Sequence, residues 1–131
     1  MLSMRTLLAT TAAAALASVP AHADHLDAQQ MEAAAHVYTG VAQCEFGQQV
    51  KLTPVEGHAG HFRLEFKRAS YDVVPEVTTT GAVRLEDKRA GMVWIQIPTK
   101  SMLLNARRGQ READECLNAQ QRSVTATAAV Q

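Results

Sequence analysis

Cys44 and Cys116 are the only cysteines in the chain. They lie 72 positions apart and bracket nearly all of its strand-like sequence. An even cysteine count in an exported chain reads as a disulfide. Closing so long a loop stabilises the folded state by about 4 kcal/mol in the chain-entropy model. A small domain with a limited core benefits from such a tie. The alternative, two free thiols with one of them reactive, is disfavoured in an oxidising compartment. The chain has no CxxC redox motif.

The compartment follows from the N-terminus. Arg5 is the only charge before Asp24, an apolar run extends from Leu7 to Val19, and Pro20 then precedes Ala21-His22-Ala23. Small residues at the −3 and −1 positions after a short apolar run are the layout of a secretory signal peptide. The run is too short for a bilayer, which needs about 20 apolar residues. No cysteine follows it to carry a lipid. The expectation is a leader over residues 1–23, removed to leave a periplasmic or secreted protein with no membrane span.

What remains is of single-domain size. Thirteen Lys and Arg balance thirteen Asp and Glu, and losing Arg5 leaves one acid in excess. No long basic block offers a field for nucleic acid. Residues 24–36 form a polar, Ala-rich leader or short helix, with Asp27 as a candidate N-cap. Residues 118–131 end in SVTATAAVQ, a low-complexity stretch expected to be a disordered tail.

Between these segments, over residues 37–117, the hydrophobic period is two. Phe62, Leu64 and Phe66 alternate with Arg63, Glu65 and Lys67, as in a strand with one buried and one wet face. Glu56 to Gly60 supplies the turn before it. Val50 and Leu52 mark an earlier strand. Ser70–Val74 is another, stopped by Pro75, and Thr78–Leu85 a further one. Glu86–Gly91 reads as a charged hairpin tip, Met92–Ile97 as the most apolar strand, ended by Pro98, and Ser101–Asn105 as the next. Arg107–Gln110 turns, and Glu112–Cys116 leads into the cysteine. Short strands at this spacing predict a mostly β fold, a small antiparallel β-barrel or sandwich.

No catalytic motif stands out. His58 and His61 have HxxH spacing, but across a turn and without a third ligand beside them, so no metal site is expected. His25 would be second in the mature chain, where an amine and imidazole hold copper only loosely. Ser70, Ser101 and Ser123 lie outside any GxSxG elbow. Asp72 and Glu76 are more simply surface charges than a hydrolytic pair. No phosphate-cradling glycine loop is present, and no cofactor is implied. Trp94, the one tryptophan, reads as a core anchor. Arg107, Arg108 and Arg111 form a solvated rim, or a surface for an acidic partner.

The order Tyr38-Thr-Gly-Val-Ala-Gln-Cys44, then Thr78-Thr79-Thr80-Gly81-Ala82, then Val93-Trp94, then Cys116 resembles the periplasmic and membrane-bound inhibitors of c-type lysozyme. The resemblance covers about residues 37–117. It implies a small exported antiparallel barrel tied by a disulfide. The family carries Ser-x-Ser-Gly-Ala and Phe-Trp-x-Lys-Gly motifs, and a serine of the first and the lysine of the second enter the lysozyme cleft. In this chain Thr80 replaces the serine before Gly81, keeping a hydroxyl. Gln96 stands where the lysine belongs, and the nearest lysine is Lys100. The resemblance therefore implies a binding site at Thr80, Gly81 and Lys100. The expected function is a small non-enzymatic binding protein of the cell envelope, lysozyme-inhibitor-like but with a divergent motif. The alternatives are an active inhibitor of c-type lysozyme and a small-ligand carrier.

Overall fold

The computed structural model describes residues 9–16 and 25–129. The expected cleavage site at Ala21–Ala23 lies outside the described residues. Eight strands follow one another: β1 (Gly40–Gln43), β2 (Gln49–Pro54), β3 (Phe62–Phe66), β4 (Ala69–Glu76), β5 (Val83–Asp87), β6 (Met92–Gln96), β7 (Ser101–Asn105) and β8 (Gln110–Cys116). Helices α1 (Ala28–Ala34) and α2 (Ala119–Ala129) flank them. Each strand pairs antiparallel with its sequence neighbours, in the order β1 to β8. This is an up-and-down meander, curled into a nearly closed barrel.

The period-two pattern sets which side faces inward. Val50, Leu52, Leu64, Val73, Leu85, Trp94 and Leu103 are all at most 1% exposed and fill the interior. Each such side chain contributes about 1.5–3 kcal/mol by leaving water. Ile95 lies on the opposite face of β6 from Trp94 and is only partly buried. The interior is a packed core among the described residues.

The seam between first and last strands is narrow. Gln43 and Leu117 exchange backbone hydrogen bonds of 3.0 and 2.8 Å. Immediately beside them Cys44 and Cys116 form the expected disulfide, with their Cα atoms 3.9 Å apart. The covalent tie therefore sits where backbone pairing between the two edge strands is shortest. The free stretch of β8 carries Arg111, Glu112, Asp114 and Glu115, charges that discourage edge-to-edge pairing with another chain.

Three details depart from the sequence reading. Pro75 does not stop β4, which runs on to Glu76. Val73 is the last β4 residue to pair with β3, so the missing proline N–H falls where the strand has changed partner to β5. The threonine run does not open β5. Thr78 Oγ1 donates to the Ala82 carbonyl at 2.7 Å, and Thr80 Oγ1 accepts from the Ala82 N–H at 3.4 Å. These local bonds hold 78–82 as a loop, because short hydroxyl side chains compete for backbone groups.

The tail is helical in place of the expected disorder. Asn118 Oδ1 accepts from the Gln121 N–H at 2.9 Å, and Gln121 Oε1 accepts from the Asn118 N–H at 3.1 Å. This reciprocal cap is the glutamine form of a capping box. Gln121 is fully buried, and its Nε2 donates to Ile97 O and Ser101 Oγ, each at 2.8 Å. Gln121, just ahead of the low-complexity stretch, docks the helix on the barrel.

Candidate functional site

In a meander, alternate turns share one end of the barrel. The turns after β2, β4 and β6 lie at one end, together with the segment leading from α1 into β1. Helix α1 starts at Asp27, as the sequence suggested. Asp27 Oδ1 accepts from Gln30 N–H at 2.8 Å, and Gln30 Oε1 accepts from Asp27 N–H at 3.0 Å. Gln30 Nε2 then donates to Pro75 O at 3.0 Å, which lays the helix on β4. Leu26 packs on Gly60, whose φ of +83° and lack of a Cβ allow the close approach.

Two adjoining clefts open at this end. One, of about 360 Å³, lies between Gln29, Glu32 and Ala33 of α1 and the loop residues Val77, Thr78 and Ala82. The other, of about 350 Å³, lies between Val37 and Tyr38 on one side and Gln96, Ile97 and Pro98 on the other. His36, Gly81 and Val83 line both. Val77 and Ile97 expose apolar surface at the rim, 55% and 37% respectively.

The lining is held firmly. Gln96 is 3% exposed, and its Oε1 accepts from the Tyr38 N–H at 2.9 Å while its Nε2 donates to the Tyr38 carbonyl at 2.7 Å. The β6–β7 turn closes with Ile97 N–H to Lys100 O at 2.9 Å and is pinned from outside by Gln121.

The predicted binding residues separate into two groups. Thr80 and Gly81 stand on the exposed rim, and Gly81 joins the two clefts. Lys100 lines neither cleft. Its Nζ lies 2.8 Å from Glu115 Oε1 and 3.4 Å from Asp114 Oδ1. Arg111 Nη1 reaches Asp114 Oδ2 at 2.7 Å. Between Leu103↔Ala113 and Ser101↔Cys116, β8 has one residue more than β7, and Glu115 takes a left-handed φ of 51°. This bulge brings two adjacent carboxylates onto one lysine. The Glu115 hydrogen bond raises the Lys100 pKa, with Asp114 adding to it against the cost of burial. Burial pushes the Asp114 carboxyl up, but the Glu115 N–H and the charges of Lys100 and Arg111 outweigh it and hold it below its ordinary value.

His58 and His61 come together in the β2–β3 turn, their rings 5.9 Å apart and edge to face, beside Asp72. Among the described residues no group of three His, Cys, Asp or Glu side chains is arranged to hold a metal ion. His36 and Ile97 belong to the cleft walls without having been marked by sequence as site residues, and Tyr38 was marked only as the start of a motif. Nothing in their local pattern singles them out, since the meander and α1 bring them together.

The described fold and rim define the protein as a disulfide-closed, eight-stranded antiparallel barrel with a cleft at one end. No family model, curated protein or solved structure matches the chain.

Proposed function

We propose that this is a non-enzymatic binding protein of the cell envelope. It takes a protein partner on the rim built by α1, the Thr78–Ala82 loop and the Ile97–Lys100 turn. The paired clefts meeting at Gly81 carry this reading. Their walls are pre-set by the Gln96 and Gln121 clamps, so little ordering cost is left to the binding step. Val77 and Ile97 supply apolar anchors, and Thr80 supplies a hydroxyl at the edge. Export is supported by the leader-like pattern of residues 1–23 and by the disulfide.

Recovery of one defined partner from envelope extract by the purified protein, lost on Ile97→Asp, is the expected result. Equal recovery by the variant would overturn the assignment to this rim. Inhibition of c-type lysozyme is the narrower alternative. It is supported by Thr80-Gly81 at the rim and weakened by the engagement of Lys100 with Asp114 and Glu115. Absence of inhibition at large molar excess would remove it. A small-ligand carrier would need a site outside the interior, which Leu52, Leu64, Leu85, Trp94 and Leu103 occupy. Native mass spectrometry of protein taken from cells distinguishes that case by a retained mass.

A further inference from the structure

The end of the barrel opposite the rim carries a different chemistry. The turns after β1, β3, β5 and β7 share that end. Three of them hold dibasic pairs: Lys67-Arg68, Lys88-Arg89 and Arg107-Arg108. All of these residues are exposed. Glu45 is the only acid within the four turns. A chain with balanced charge thus folds into a polarised body.

Contacts between turns hold two of the pairs, Lys88-Arg89 and Arg107-Arg108, together. The Ala106 N–H donates to the Gly91 carbonyl at 2.8 Å, and the Arg107 guanidinium donates to the Arg89 carbonyl. The turn after β1 and the turn after β3 face one cleft, lined by Gly47, Gln48 and Lys67. Lys88 extends to Glu76 at 3.3 Å yet keeps 72% of its side chain exposed. Among the described residues, no carboxylate lies within ion-pair distance of Arg68, Arg89 or Arg108.

Phe46 stands at the same end. It is 89% exposed, and with φ of +60° it precedes Gly47 at +69°. The Gln48 N–H closes the turn onto the Glu45 carbonyl at 3.3 Å. Two successive positive φ values are the signature of a type I′ turn, whose first central position favours Asn, Asp or Gly. A bulky aromatic there is strained and loses its apolar face to water. The core gains nothing from it.

We infer that this end is a docking surface for an anionic lipid bilayer. The dibasic turns meet the headgroup phosphates, and the Phe46 ring enters the interface. Long cationic side chains spread over several turns suit a diffuse sheet of charge. Aromatic rings favour the headgroup level, and each basic residue near an anionic surface adds about fivefold in affinity. The inference does not rest on the function proposed for the rim, which would stay free to bind while the opposite end sits on lipid.

The purified chain is sedimented with phosphatidylcholine vesicles, with and without phosphatidylglycerol. Association only with the anionic vesicles, released by high salt, is expected. The Arg68→Gln/Arg89→Gln/Arg108→Gln variant should bind roughly a hundredfold more weakly at about fivefold per charge. Phe46→Ser should weaken binding about tenfold through lost apolar burial. Unchanged emission from buried Trp94 verifies that each variant is folded. No association with anionic vesicles at low salt, undiminished binding by the folded triple variant, or binding to soluble heparin without vesicle association would each overturn the assignment.

Discussion

Gln96 grips the backbone of Tyr38 at both its polar groups, accepting from the N–H at 2.9 Å and donating to the carbonyl at 2.7 Å. This is the position that the resemblance to the lysozyme inhibitors matches to their motif lysine. Here it is turned inward and fastens the segment between α1 and β1 to β6. Gln96→Lys would keep a donor for the carbonyl and leave the Tyr38 N–H without its acceptor. We expect a destabilisation of about 1–3 kcal/mol from that orphaned group. Denaturant titration measures the loss. Faster amide exchange at Tyr38 localises it, and unchanged exchange there would contradict the clamp.

The disulfide constrains the seam where strand pairing is shortest. Replacing both Cys44 and Cys116 with alanine should cost about 2–5 kcal/mol. The chemical-denaturation midpoint of the oxidised protein should fall to that of the double variant on adding reductant. Coincident midpoints for oxidised and reduced protein would show that the seam holds without it.

Gln121 joins α2 to the barrel through one buried side chain. Gln121→Ala removes the donor to Ile97 O and Ser101 Oγ and the acceptor for the Asn118 N–H. A loss of about 1–3 kcal/mol is expected for the buried groups left unpaired. Far-ultraviolet circular dichroism should also show loss of helix, since α2 has no other buried side chain after Asn118 among the described residues.

The Lys100–Asp114–Arg111 group predicts a pH dependence. Asp114 has a folded pKa below its ordinary value, so its contribution is present above the unfolded value and disappears as pH falls through the folded one. Lys100 has a raised pKa, so its contribution is complete below the unfolded lysine value and disappears as pH rises through the folded one. The network is therefore strongest between the two ranges. Asp114→Asn should lower stability at neutral pH, and the gap to the wild type should close below about pH 4. A gap independent of pH across the acid limb would contradict an ionised Asp114.

Much of the fold was legible because β-strands write themselves in a period of two. Phe62, Leu64 and Phe66 point inward as their spacing demands, and Ser101–Asn105 forms β7 with the expected limits. Pro75 and the threonine loop were misread because each outcome depends on a neighbour. Proline is tolerated only where the strand changes partner, and the threonine hydroxyls prefer Ala82 to a sheet. Thr80 and Gly81 lie together on the exposed rim. Lys100 does not line the clefts beside them, since the β8 bulge supplies carboxylates that no sequence spacing announces.

By itself the sequence determined the strand alternation, the inward set Phe62, Leu64 and Phe66, and the two cysteines that join. These are local periodicities and chemical identities, readable without knowing which strands meet. Tertiary structure alone decided that Gln96 clamps Tyr38, that Gln121 anchors the final helix and that charge is polarised along the barrel. Lys67-Arg68, Lys88-Arg89 and Arg107-Arg108 are scattered in the chain, with no field of their own. A meander returns to the same end at every second turn, and only that geometry gathers them.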